Sequence, residues 1–247
     1  MATQKVVTLD GLGYFKEKTD ELYAKKTELP KVATSEAAGV MKPGKDFDIA
    51  SDGTITLYSK MAINSFTCAP SSVERGSTVN EVTLNWSLNK VPTKLTLDTE
   101  DQDVSATNKV ISNAGLKANK TYTLKATDAR DAAASRTAGV SFLDKRHWGV
   151  GGSFTESQIT DEFVNGLSGE LASSRTKTFT VNAAEAQHIY YCFPASWGTP
   201  RFFVGSFEGG FSLLKTFDHV NASGASVSYV VYKSTNAGLG NTTVEVK

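Results

Sequence analysis

Between Val79 and Leu88 the residues Val82, Leu84, Trp86 and Leu88 alternate with polar neighbours. Successive side chains of a strand point to opposite faces, so this period of two marks a strand with one face in a core and one in water. Such a strand is not stable alone and requires partners whose apolar faces meet its own. Candidate partners surround it. Ile63–Phe66 precedes it, and Leu95 with Leu97, Val110 with Ile111, Tyr122 with Leu124, and Val140 with Phe142 follow.

Turn-forming text separates these segments at Ala69-Pro70-Ser71 and Arg75-Gly76-Ser77. Short strands punctuated by turns around one central tryptophan predict an immunoglobulin-like antiparallel β-sandwich over residues 61–144, with Trp86 in its core. No cysteine pair flanks Trp86, so the disulfide-bearing antibody type is excluded. The two cysteines, Cys68 and Cys192, fall in different predicted domains and are expected to be buried free thiols.

The stretch Leu143–Gly152, LDKRHWGVGG, is the expected domain boundary. His147 and Trp148 either line a site there or pack a junction, and the junction is favoured. Beyond it one helix is expected over 157–171, capped by Thr160. Strands then follow at 178–181, 188–193, 202–207, 213–220 and 227–233, which predicts a second antiparallel sandwich over 145–247. Its most informative text is HIYYCFPASWGTPRFFVGSFEGGF, residues 188–211. Alternation should turn every second aromatic of its strands outward. Trp197 lies on a Gly/Pro-flanked loop near Arg201 and Glu208. An exposed ring beside hydrogen-bonding groups suits stacking on a sugar. Trp197, Arg201, Glu208 and Tyr191 are therefore the candidate ligand-binding residues, against the simpler role of Trp197 as a cap on the sandwich end or a trimer contact.

The N-terminal quarter differs. Residues 8–29 place Leu9, Leu12, Phe15, Leu22 and Leu29 near one helix face, interrupted by Gly11 and Gly13 and ended by Pro30. A lone helix of this length and composition is marginal, so residues 1–32 are expected to form a coiled-coil strand or an attachment segment. In 33–60, Val40, Met41, Phe47, Ile49, Ile55 and Leu57 are spread among glycines, Pro43 and Asp52-Gly53. They cannot bury enough area within one chain to offset the entropy of ordering it. Sharing them between copies resolves this, so these six are the expected oligomerisation residues.

Charge narrows the partners. The chain has 26 basic and 26 acidic side chains, a formal net charge of zero, so no basic excess favours nucleic acid. No apolar run approaches the ~20 residues that span a bilayer, so membrane insertion is not expected. Three histidines, His147, His188 and His219, lack chelating spacing, and neither metal nor cofactor is expected. Asp98, Glu100, Asp101 and Asp103 read as a solvated hairpin loop, ahead of a weak calcium site. Gly205-Ser206-Phe207-Glu208-Gly209 lacks nucleophile-elbow spacing, and Gly149–Gly152 lacks the lysine of a phosphate loop, so catalysis is not expected.

Two tracts carry a resemblance. Ala38-Gly39-Val40-Met41-Lys42 with Gly44, followed by Asp52-Gly53-Thr54-Ile55, resembles the repeat of phage fibre proteins, head or tail. The family's second Gly-Leu is replaced here by Asp46 and Phe47, and the likeness covers about a tenth of the chain. Thr121–Asp128 resembles the penultimate strand of immunoglobulin-like modules on phage virion proteins. Most of residues 150–247 resembles C-terminal domains of phage structural proteins. The resemblance implies a homotrimeric virion fibre, made in the bacterial cytoplasm. It would be attached to other virion proteins by its N-terminus and adhere to a host surface glycan or receptor. The alternatives are a decoration or baseplate component touching only virion proteins, or a polysaccharide-degrading spike. The spike is disfavoured because no long repeat array is visible.

Overall fold

The computed structural model describes residues 46–49, 52 and 54–247. Two compact units are distinguished, 1–60 and 61–247. The expected N-terminal helix, Val40 and Met41 lie outside the described residues. In the first unit, β1 (Phe47–Ile49) and β2 (Ile55–Leu57) form an antiparallel hairpin, with Phe47 opposite Leu57 and Ile49 opposite Ile55. Asp52 accepts a hydrogen bond from the Thr54 N–H at 2.8 Å and tightens the turn. This register puts Phe47, Ile55 and Leu57 on one face, with Leu57 75% exposed.

The second unit is mainly β. Its first part holds β3 (Ile63–Ala69), β4 (Ser72–Glu74), β5 (Val79–Leu88), β6 (Lys94–Leu97), β7 (Glu100–Gln102), β8 (Asn108–Leu116) and β9 (Lys120–Thr127). The alternation in β5 is realised: Val82, Leu84 and Trp86 are buried and the residues between them are not. A three-stranded sheet, β3-β5-β8, packs its apolar face on β6 and β9 through a core of Phe66, Leu84, Trp86, Leu95, Tyr122, Leu124 and Phe142. Trp86 meets Phe66 edge-on at 6.3 Å, and its indole N–H donates to the Ala106 carbonyl at 2.7 Å. The buried ring thus keeps its one polar group satisfied.

At the expected boundary the chain runs on as one strand. Residues 143–152 are not a linker, because β10 (Ala133–Gly151) runs through nearly all of them as one 19-residue strand. Its first part pairs with β9, its middle with β4 in parallel, and its last part with β11 (Ser168–Ala172) and β13 (His188–Pro194). The two halves therefore share a nine-stranded sheet. The turn after β4 also seats on the turn 221–225. Asn221 donates to the Arg75 carbonyl at 2.8 Å, and Ser77 and Ser223 hydroxyls lie 3.0 Å apart.

The C-terminal half adds β12 (Lys177–Ala183), β14 (Phe202–Val204), β15 (Phe207–Glu208), β16 (Phe211–Val220), β17 (Ser226–Ser234) and β18 (Gly240–Val246). The order β16-β17-β13-β10 continues the large sheet, and β12-β18-β14-β15 forms a separate four-stranded one. One face of β13 packs against that second sheet through Tyr191, Phe193, Phe179 and Phe202. Its other face is covered by α1 (Asp161–Gly166) and flanking residues, through Tyr190, Cys192, Ile159 and Val164. All seven residues of β13 are buried as a result, so the expected outward-facing aromatics of this strand are absent. The expected helix over 157–171 shrinks to α1 because the chain after Gly166 turns extended and pairs as β11 with β10. Thr160 caps α1 as expected, its side chain accepting from the Phe163 N–H. Cys68 and Cys192 are both buried and free.

Candidate functional site

The four candidate ligand-binding residues do not converge on one surface. Tyr191 is fully buried, stacked on Phe179 at 5.4 Å and 5°, and its hydroxyl donates to the Arg175 carbonyl. Burial pushes its phenol well above the ordinary value. It is a core residue, closed to solvent. Trp197 ends a short 3-10 turn, Ala195–Trp197, after β13. Its ring stacks on buried Phe193 at 6.2 Å and 11°, and its carbonyl accepts from Arg175. The half-buried ring packs at the end of the aromatic core.

Arg201 and Glu208 do meet. The expected single strand over 202–207 is a hairpin, turned at Gly205 with φ +62°, where a residue without Cβ is favoured. Arg201 Nε lies 2.8 Å from Glu208 Oε1, and a second contact makes the pair bidentate. The hydrogen bond from Arg201 lowers the Glu208 pKa. The pair is open to water, where such bonds contribute little to stability. Between them and the C-terminus sits half-buried Phe203, with the Arg201 guanidinium 5.3 Å and Lys247 Nζ 4.8 Å from its ring centre. The outer face of β14 and its neighbours is thus a row of paired charges around one aromatic. At the tip, Phe207 is 82% exposed on the edge strand β15. It carries more exposed ring surface than Trp197. Reading 202–207 as one strand hid it, and the Gly205-Ser206 turn signal was the clue.

The remaining titratable groups resolve individually. Asp98 accepts from the Thr123 N–H at 2.8 Å, Asp103 from the Ser105 N–H at 2.8 Å, and Lys94 sits 3.6 Å from Asp101. The acidic text is a hairpin loop whose carboxylates serve their own neighbours. His188 Nδ1 lies 2.7 Å from the Ser234 carbonyl. His147 and His219, 72 residues apart in sequence, meet edge to face at 6.1 Å, both against Tyr229. His219 Nδ1 is 2.9 Å from Asp161, which also accepts from the Val220 N–H and so ties α1 to β16. Neither ring nitrogen of His147 has a hydrogen-bond partner among the described residues. Burial, then the neighbouring His219 and Lys145, lower its pKa from 6.5 to about 4; the Leu167 backbone approaches without hydrogen-bond geometry and raises it only slightly. Trp148, on the opposite face of β10, packs on Phe179 at 5.9 Å under Lys177 Nζ. The His-Trp pair is therefore packing on both faces of β10. Gly149 and Gly151 serve it too, since a Cβ there would lie 2.9 Å from Leu167 and from Phe154 respectively.

No protein-family model and no curated protein matches the chain.

Proposed function

We propose that this chain is a structural fibre protein of a phage virion, assembled as a homotrimer through residues 33–60. The observation that carries this reading is the β1–β2 hairpin. It lies in the tract that resembles fibre repeats, and Phe47, Ile55 and Leu57 share one face and remain exposed. A two-stranded hairpin is marginal in water, and equivalent faces of other copies would bury its exposed apolar side chains. In this reading residues 1–32 attach the fibre to other virion proteins. The part around Trp86 is an immunoglobulin-like spacer, and the C-terminal half meets a glycan or receptor on the bacterial surface.

The test compares the native mass of the full chain with that of a chain beginning at Met61, whose side chain belongs to the core of the second unit. A trimer that becomes a monomer on truncation is expected; a full-length monomer sinks the reading. For adhesion, Phe207→Ala is the informative variant, since removing an exposed ring should change stability by no more than about 0.5 kcal/mol. Loss of binding to intact bacteria with an unchanged Tm is expected. The second reading, a decoration component, draws on the same exposed Phe207 on a free sheet edge, a surface suited to another virion protein. It predicts that Phe207→Ala leaves bacterial binding untouched and reduces incorporation into particles.

A further inference from the structure

A groove of about 460 Å³ opens between the end of β10 and the segment carrying α1. None of the residues expected to bind ligand lines it. Its floor is apolar: Val150, Phe154, Phe163 and Leu167, all half-buried. The floor is rigid. Phe154 and Phe163 meet edge to face at 5.3 Å, and both lie against buried Tyr190 at 6.0 and 5.0 Å. The Tyr190 hydroxyl donates to the Gly152 carbonyl at 2.6 Å and accepts from the Phe154 N–H at 3.1 Å. Gly151 makes the arrangement possible, because a Cβ there would reach within 2.9 Å of Phe154 and 3.2 Å of Tyr190.

The rim is polar and of mixed sense. Gln158 uses its Oε1 to accept from the Thr155 N–H, which leaves its amide N–H groups without a partner among the described residues. Thr160 accepts from the Phe163 N–H through its hydroxyl oxygen, so the hydroxyl hydrogen remains available. Glu162 is exposed and supplies two acceptor oxygens. It is the one charged residue of the lining; the nearby Lys215 and Lys233 ammonium groups donate to the Ile159 and Phe154 carbonyls at 2.6 and 3.1 Å.

From this juxtaposition we infer that the groove is a binding site for an uncharged saccharide ring. A sugar presents an apolar C–H face, which suits a floor of aromatic and aliphatic side chains. Its hydroxyls each donate and accept, which suits a rim offering amide and hydroxyl donors beside a carboxylate acceptor. A phosphate or sugar acid would face the Glu162 carboxylate with no cation in the lining, the neighbouring Lys215 and Lys233 being engaged by backbone carbonyls, and is disfavoured. An open, preformed groove needs no closure, so single-ring affinity is weak and would be multiplied by several copies of the chain. This inference rests on the adhesion reading for its biological setting, yet places the contact on a different surface from Phe207.

The test uses the full chain and saturation-transfer NMR with the methyl glycosides of glucose, galactose and N-acetylglucosamine as probes. Gly166, at the end of α1, lines the groove, and a Cβ there meets nothing within 4 Å. Gly166→Phe should fill the groove and abolish the signal of any bound glycoside with Tm unchanged. Glu162→Gln and Gln158→Ala should each weaken binding by about tenfold, the loss expected for one good hydrogen bond. A glycoside that binds Gly166→Phe as it binds the parent chain overturns the inference. So does a chain that adheres to intact bacteria yet binds none of the three glycosides, an outcome that leaves adhesion standing. Groove-dependent glycoside binding without adhesion to any bacterium of a broad panel supports the site and removes the adhesion reading.

Discussion

His147 shows how a single residue couples burial to pH. It is 3% exposed, with both ring nitrogens unpartnered among the described residues, so its neutral form is the one the fold tolerates. Its folded-state pKa of about 4 lies below the ordinary 6.5, so the unfolded chain binds the proton more readily. The stability it contributes is therefore complete above pH 6.5 and falls away as pH drops toward 4, by roughly 3 kcal/mol. Thermal unfolding between pH 7 and pH 4 should show this decline, and His147→Leu should flatten it. An equally steep decline in the variant would assign the effect to other groups. Gly169 opposite belongs to the same arrangement, because a Cβ there would lie 2.9 Å from the His147 ring. Nothing in the spacing of three histidines reveals such a contact, since it depends on strands that pair across the sheet.

Among the elements, the turns carry more than the strands reveal. Gly76 has φ +95°, and a Cβ there would come within 2.8 Å of the Ser223 carbonyl and 2.9 Å of the Ala225 side chain. The 74–77 turn thus packs backbone to backbone on the 221–225 turn, and Ser223 also donates to Glu74 at 3.0 Å. Gly76→Ala combines an unfavourable φ with a clash against backbone, so a loss of about 2–4 kcal/mol is expected in urea unfolding. A loss below about 1 kcal/mol would mean that the two turns separate at little cost. The turn signal at Arg75-Gly76-Ser77 was legible in sequence; the second turn that demands a glycine there was not. The shortened α1 follows the same logic. Apolar spacing alone allows a helix over 157–171, but the edge of β10 offers Ser168–Ala172 a ladder of backbone hydrogen bonds and wins.

At the scale of the whole unit, β10 decides the architecture. Its first part belongs to the Trp86 core and its last part to the aromatic core around Tyr191 and Phe193. A strand shared by two cores, reinforced by the Arg75–Asp144 ion pair at 2.8 Å, makes separate unfolding of the halves costly. Calorimetry of residues 61–247 should therefore show one transition. Two resolved transitions would restore the division into independent domains.

What was readable without coordinates was local. Alternation in β5, the Thr160 cap, the turn residues and two unpaired thiols follow from side-chain chemistry acting within a few residues. Most of the strands were legible for that reason; the pairing of Arg201 with Glu208 was not, because it forms across a hairpin in a segment that reads as one strand. The surroundings of Trp197 and Tyr191 and the His147–His219 contact depend on packing. Each is the outcome of which faces of one sheet become covered, and a sheet buried on both sides overrides the period of two. The saccharide groove has the same origin. Its floor and rim come from β10 and from the α1 segment, and their approach depends on glycines whose role is visible only against the rings they admit.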